Sequence, residues 1–171
     1  MVNISGDQEA PGTLESVRTL LNTWLIPNDT RLAEDRFDEY ADQARLPRAQ
    51  RTELRALRDD LRQLVEGADT TALVNDWVDR LEIRPQVTGK AITFIGHDSP
   101  AAAHVAAVLE AIAANRWHRL KACPDCRWVF YDHSRNASKR WCLMTAGGAG
   151  GRSCGSIAKV RAHRERHRAT R

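Results

Sequence analysis

Cys123-Pro124-Asp125-Cys126-Arg127-Trp128-Val129-Phe130-Tyr131-Asp132, followed by Cys142 and Cys154, is the stretch that decides how the last third of this chain folds. The 171-residue sequence has four cysteines, and they are spaced C-x2-C-x15-C-x11-C. Thiolates are the preferred ligands of structural zinc, and four of them close a tetrahedral site with no position left open. The Cys-Pro-Asp-Cys knuckle lets both of its sulfurs face one ion while backbone N–H groups point at them. The aromatic run 127–132 reads as a strand, Ser134-Arg135-Asn136-Ala137-Ser138 as its turn, and Lys139-Arg140-Trp141-Cys142 as the returning strand. Trp128, Phe130 and Trp141 are expected to cover the metal, because a unit this small has little other core. One structural Zn2+ should supply much of its folding free energy, on the order of 10 kcal/mol or more. A free-thiol or redox role for Cys123 and Cys126 would call for a thioredoxin-like strand and helix, and an aromatic hairpin is a different setting. His133 is the reserve ligand should Cys154 fall short.

The surroundings of these cysteines are cationic. Residues 1–115 carry 12 Lys/Arg against 19 Asp/Glu, a net of −7, whereas residues 116–171 carry 14 against 3, a net of +11. An acidic body with a basic arm implies a polyanionic partner, although a basic surface also serves solubility alone. From Gly155 onward the pattern is helical. Ile157 and Val160 share a face suited to docking on the zinc module, and Arg161, Arg164 and Arg168 continue that stripe. Lys159, His163, Arg166 and His167 lie broadly opposite, so after two turns the helix is basic all round. Such a helix suits a groove lined with phosphates, the alternative being a solvated, frayed tail. Arg135, Lys139 and Arg140 on the turn are candidates for further phosphate contacts. The run Ala146-Gly147-Gly148-Ala149-Gly150-Gly151 lacks the Gly-Lys-Ser/Thr ending of a phosphate loop and reads as a spacer.

Upstream, Leu14, Val17, Leu20, Leu21, Trp24 and Leu25 follow helical spacing. Pro27-Asn28-Asp29-Thr30 breaks that helix and offers caps for a second, with Leu32, Phe37, Tyr40 and Ala44. Pro47 suits the first turn of a third helix striped by Leu54, Leu57, Leu61, Leu64 and Val65, closed by Gly67. Asp69 or Thr70 then caps a fourth, with Leu73, Val74, Trp77, Val78 and Leu81. Gln86 to Ile95 reads as a hairpin turning at Gly89-Lys90. Ser99-Pro100 opens an alanine-rich helix running to about Trp117, with Val105, Val108, Leu109 and Ile112 inward and with His97 and His104 as structural or surface groups. His118 to Ala122 offers no flexible linker, so the two parts are expected to pack together. The fold class is α+β, mainly α: a helical N-terminal domain, 10–117, with one β-hairpin, and a small C-terminal zinc-binding β-hairpin/helix module, 118–171.

No apolar run reaches the length of a membrane span, and Met1–Asp7 has no secretory character, so a cytoplasmic, nucleoid-associated protein is expected. In a reducing compartment clustered cysteines are more often metal ligands than disulfides. An enzyme is not expected. Zinc deaminases need His-x-Glu ahead of Pro-Cys-x-x-Cys and an open ligand position, whereas the His-x-Glu here is His163-Arg164-Glu165, after the knuckle. No Walker loop occurs.

The segment resembles the CGNR zinc-finger family. The resemblance rests on Cys123-Pro124-Asp125-Cys126, Trp128, Phe130, Asp132, Ser134-Arg135-Asn136, Ser138, Arg140-Trp141-Cys142 and Met144, and resumes at Cys154-Gly155 and Ala158-Lys159-Val160-Arg161-Ala162-His163-Arg164. Members are mostly bacterial, often actinobacterial, and the resemblance implies a transcription regulator. The family also implies an N-terminal ABATE domain, of which Leu21-Asn22-Thr23 and the helical pattern to about residue 116 are a fainter echo. Two departures stand out. The family's Cys-Gly-Asn-Arg reads Cys154-Gly155-Ser156-Ile157, and 11 residues lie between the third and fourth cysteines instead of about four. Should the family's Asn and Arg touch DNA, that contact is lost here or moved, with Arg152 the nearby candidate. The resemblance and the charge together point to a zinc-dependent, DNA-binding transcription regulator. The ligands are Cys123, Cys126, Cys142 and Cys154. The candidate contacts to double-stranded DNA are Arg135, Lys139, Arg140, Arg152, Lys159, Arg161, His163, Arg164, Arg166 and Arg168. Two other readings stay open: a zinc-knuckle adaptor for a partner protein, and a binder of single-stranded RNA that stacks Trp128 or Tyr131 on bases. One short recognition element binds weakly, which leaves room for a homodimer or a partner regulator although no heptad marks one.

Overall fold

Helix α1 spans Leu14–Leu21 and buries Leu14, Val17, Leu20 and Leu21. The apolar spacing continues to Leu25, but the helix does not. Asn22 takes the C-cap position, and Trp24–Leu25 forms a short strand, β1, antiparallel to β2, Glu34–Asp35. The cause is tertiary. The Asn22 amide donates to Val129 O (2.8 Å) and accepts from Val129 N (2.7 Å), so it is committed to a distant strand. The computed structural model describes residues 8–68, 71–145 and 150–169.

Helix α2 is Phe37–Gln43, shorter than its periodicity suggests. Leu32 lies outside it and is 71% exposed. Arg36, not a residue of Pro27–Thr30, takes the N-cap position, and the Oδ1 of Asp35 before it accepts from Phe37 N at 2.9 Å. Helix α3 is Arg48–Val65, with Pro47 immediately before the first turn. It buries Leu54, Leu57 and Leu61. Gly67 takes φ +94 at its end, where its N–H reaches Leu64 O and that of Ala68 reaches Gln63 O. Helix α4, Thr71–Arg80, buries Trp77, whose indole donates to Asp60. The expected caps Asp69 and Thr70 lie outside the described residues.

Strands β3 (Arg84–Thr88) and β4 (Ala91–Ile95) pair antiparallel with Thr88 opposite Ala91, turning at Gly89 (φ +64). Ser99 caps helix α5, Pro100–Ala113, by accepting from Ala102 N. That helix stops short of Trp117. Asn115 takes φ +51, Arg116 N bonds Ala111 O, and Trp117–Arg119 forms a 3-10 turn. Val105 and Val108 face the core, but Ile112, expected inward, is 47% exposed. His104 is buried, with Nδ1 bonded to Pro100 O, and burial pulls its pKa down. No helix among the described residues is long and apolar enough to cross a membrane.

The C-terminal hairpin differs from the expected one. Strand β6, Val129–Tyr131, pairs with β5, Leu120–Ala122, upstream of the knuckle, with Leu120 opposite Tyr131. Lys139–Trp141 is not its partner and forms no strand. Both strands lie in the main core. Leu120, Val129 and Tyr131 are buried in one apolar cluster with residues of α1, α3 and α5. A second, smaller cluster gathers Cys123, Cys126, Phe130, Cys142 and Cys154, flanked by Trp128, Trp141 and Met144. Helix α6, Cys154–Ala169, leaves from that cluster.

Candidate metal centre

The knuckle is the loop of the β5–β6 hairpin. Cys123 follows β5, and its N–H donates to Trp128 O at 2.8 Å while its carbonyl accepts from Arg127 N at 2.9 Å. Arg127 takes φ +61 to make that turn. Cys142 and Cys154 arrive from a second loop whose neck is closed by a Thr145–Ser153 bridge and by Cys154 N donating to Met144 O. That closure is how an 11-residue spacing still brings the sulfurs together. Residues 146–149 of the glycine-rich spacer lie outside the described ones.

All four sulfurs are buried and lie within 4.8 Å of one another. Cys126 and Cys142 are 3.3 Å apart and Cys142 and Cys154 3.5 Å, and none of the four is in a disulfide. Four Zn–S bonds of about 2.3 Å would set the sulfurs about 3.8 Å apart, so the cage is of zinc size. Hydrogen bonds from Cys126, Cys142 and Cys154 hold the Cys123 thiol far below its ordinary pKa, and the same network lifts Cys126 and Cys142 far above theirs. At Cys154 the Cys123 contact pushes upward, but bonds to Cys126, Cys142 and Asn28 outweigh it and the net direction is down. Four buried thiols cannot all ionise unless a cation shares the cage. Phe130 is buried against it, with Trp128 and Trp141 half-buried around it. His133 is elsewhere, its Nε2 bonded to Glu9 O and its ring edge-on to Tyr131.

Asp132 organises the chain just beyond the hairpin. Its carboxylate accepts from Ser134 N and Oγ, Lys121 Nζ and Lys139 N, all within 2.9 Å. Burial pulls its pKa up, but the bonds from Ser134, Lys121 and Lys139 outweigh that and hold it well below the usual carboxylate range. The chain therefore curls around one buried anion here instead of returning as a strand. Glycine follows Cys154 for a visible reason, since a Cβ at Gly155 would sit 3.2 Å from the Trp141 ring. Of the two departed positions, Ser156 is exposed and Ile157 half-buried.

The basic candidates divide. Arg135, Lys139, Arg140, Arg152, Lys159, His163, Arg164, Arg166 and Arg168 are exposed. Arg140 lies over Trp141 at 5.5 Å, and the tilted rings of His163 and His167 have centroids 4.3 Å apart and Nε2 atoms 3.1 Å apart. Val160, expected to dock, is 37% exposed, so the docked part of α6 is limited to its first turn, around Ile157 and Ala158. Arg161 is engaged, donating to Asp125 Oδ1 at 3.1 Å. Tyr131 is buried in the core and offers no face for a base.

Several important residues carry no sequence signal of their own. Asp125 accepts from two arginines, Asn28 donates to Cys154 Sγ at 3.0 Å, and Arg62 joins the two parts of the chain. Arg62 donates to Leu21 O, Trp24 O and Arg127 O and pairs with Glu66.

A closed tetrathiolate cage built from a knuckle, a loop and the first residue of a helix is a structural zinc finger, and these cysteines form one such site. Residues 119–167 match the CGNR zinc finger family, a span that includes all four ligands and most of α6. No curated protein matches the chain.

Proposed function

We propose that this chain is a DNA-binding transcription regulator whose zinc ion is structural and whose basic helix α6 contacts the duplex. One observation carries the reading. From Lys159 to Arg168 every residue of α6 is exposed, and seven of these ten are Lys, Arg or His against the single acid Glu165. A helix of that composition has no apolar face for a protein core, and phosphates are its natural counterpart. The zinc cage holds its first residue, so the metal acts by folding and aiming the helix. With four thiolates as ligands the ion has no open position, so the proposal assigns it no catalytic step. The N-terminal part, in this reading an ABATE-type domain, takes the signal or the partner. The stretch that echoes that domain, Leu21-Asn22-Thr23, is where the N-terminal part grips β6. A homodimer or a partner regulator would supply a second contact on the duplex. Burial of Tyr131 favours duplex DNA over stacking on single-stranded RNA.

The test is duplex binding by zinc-loaded protein at two salt concentrations. The logarithm of affinity should fall by about 0.9 per unit log salt for each phosphate neutralised. Charge reversal at Lys159, Arg164 and Arg168 should abolish binding while zinc and fold persist. Unchanged affinity would remove α6 from the mechanism, and absence of duplex binding by the parent protein would turn the reading toward the partner-protein adaptor.

A further inference from the structure

The loop between β1 and β2 takes no part in metal binding or in the basic surface, yet it touches both. Ile26 N donates to Cys126 O at 2.8 Å. Asn28 Nδ2 donates to Cys154 Sγ at 3.0 Å, and its Oδ1 accepts from Arg31 at 3.2 Å. Arg31 holds φ +57, with its N–H bonded to Pro27 O. Its guanidinium pairs with Asp125 Oδ1 at 3.3 Å, the same oxygen that Arg161 of α6 reaches at 3.1 Å. We propose that this loop is the positioning element of α6: Asn28 on the Cys154 sulfur and the Arg31–Asp125–Arg161 bridge transmit the state of the N-terminal part to the direction of the basic helix. The proposal rests on the zinc-dependent DNA-binding reading for its consequence, but not for its geometry.

Two points define an axis. Cys154 begins α6, and Arg161 is seven residues, or about 10 Å, further along. A helix held only at Cys154 can swing about its first turn. Held at both points it cannot, and residues 28–31 touch both anchors. The anion between them is sensitive to loss of either cation. The Asp125 side chain is 2% exposed, both guanidinium contacts fall on Oδ1, and buried Oδ2 has no hydrogen-bond partner among the described residues. A buried carboxylate so served cannot lose an arginine to water without cost. A shift of the loop that withdraws Arg31 therefore disturbs the seat of Arg161. The loop connects to the helical body through β2, where Asp35 accepts from Arg58 of α3 at 2.6 and 2.9 Å. Arg161 is thus a positioning residue, one guanidinium nitrogen held by Asp125 Oδ1 while its side chain remains 51% exposed. The Asn28 bond belongs to the class of outer contacts that orient a metal ligand, whose loss typically costs about 10–100-fold in metal affinity.

The test uses full-length zinc-loaded protein without DNA. Residual dipolar couplings of α6 amides report its direction relative to the core. In the parent they should fit the alignment tensor of the core. In D125N, and in R31Q should D125N fold poorly, the α6 couplings should depart from it while core couplings and one equivalent of zinc are kept. R161Q added to D125N should change them no further. N28A should weaken zinc binding in a chelator competition by about tenfold or more. Couplings of α6 unchanged in both D125N and R31Q would overturn the proposal, whatever the DNA affinity. Couplings that depart as expected in a protein that binds no duplex would uphold the positioning role and overturn only the DNA reading.

Discussion

Removing the metal should take the C-terminal part of the chain to pieces unevenly, and the place where order stops can be worked out from burial. Leu120, Val129 and Tyr131 are 4%, 0% and 5% exposed and lie in the main core. Burying an apolar side chain of this size stabilises by about 1.5–3 kcal/mol, so the three together contribute roughly 5–9 kcal/mol that owes nothing to zinc. The two Asn22 bonds to Val129 add about 1 kcal/mol each. Beyond Asp132 the balance reverses. Among the described residues from 133 onward the buried groups are Cys142 and Cys154, and Trp141 and Met144 are only half-buried. Here the metal, with an apparent contribution of about 10–16 kcal/mol in small zinc domains, is what opposes the entropy of the chain. Chelation, or Cys142→Ser, should therefore leave β5 and β6 docked while α6 dissolves. Hydrogen exchange read by mass spectrometry with and without chelator checks this. Amides at 129–131 should keep opening free energies of several kcal/mol, and those of 157–168 should exchange at near the unstructured rate. Loss of β6 protection together with α6 would refute the shared-core argument. An α6 that stays protected without zinc would refute the claim that the metal orders it.

Arg62→Ala should destabilise the whole protein by about 3–5 kcal/mol in urea unfolding, since it strands the buried Leu21 carbonyl, removes donors from Trp24 and Arg127, and empties the site over the Trp24 ring at 4.5 Å. Arg62→Lys, with one point charge and no fork, should recover only part of that. Asp132 should make stability fall in acid. Its folded pKa lies below its unfolded one, so its contribution is present in full above the unfolded value, about 4, and is lost as pH falls through the lower folded value. The stability gap between the parent and D132N should be constant from neutral pH down to about 5 and close below about 4, and a gap unchanged at low pH would show that the Asp132 charge is not what counts.

Much of this protein is legible in its residues alone, because the signals are local or compositional. Four thiolates at knuckle spacing announce a zinc cage whatever the surrounding fold, since the metal's affinity for sulfur outweighs the chain's other preferences. The cationic run of α6, the turn at Gly89 and the Ser99 cap are likewise local. The misreadings share one physical cause, which is competition from distant partners. Trp24 and Leu25 continue an apolar helical stripe, but Asn22 is taken by Val129, and the chain leaves the helix. Lys139–Trp141 looks like a return strand, but β5 already fills that edge of β6, and Asp132 draws the intervening backbone around itself. Arg161 resembles its neighbours on a basic helix, and only the fold sets Asp125 beside it. Sequence by itself determined the metal, its ligands and the sign of the surface. The tertiary structure alone decided that Arg161 reaches Asp125, and which strand carries the knuckle. It also decided that the zinc unit shares a core with the helices, because those outcomes depend on groups up to 126 residues apart in the chain finding one another.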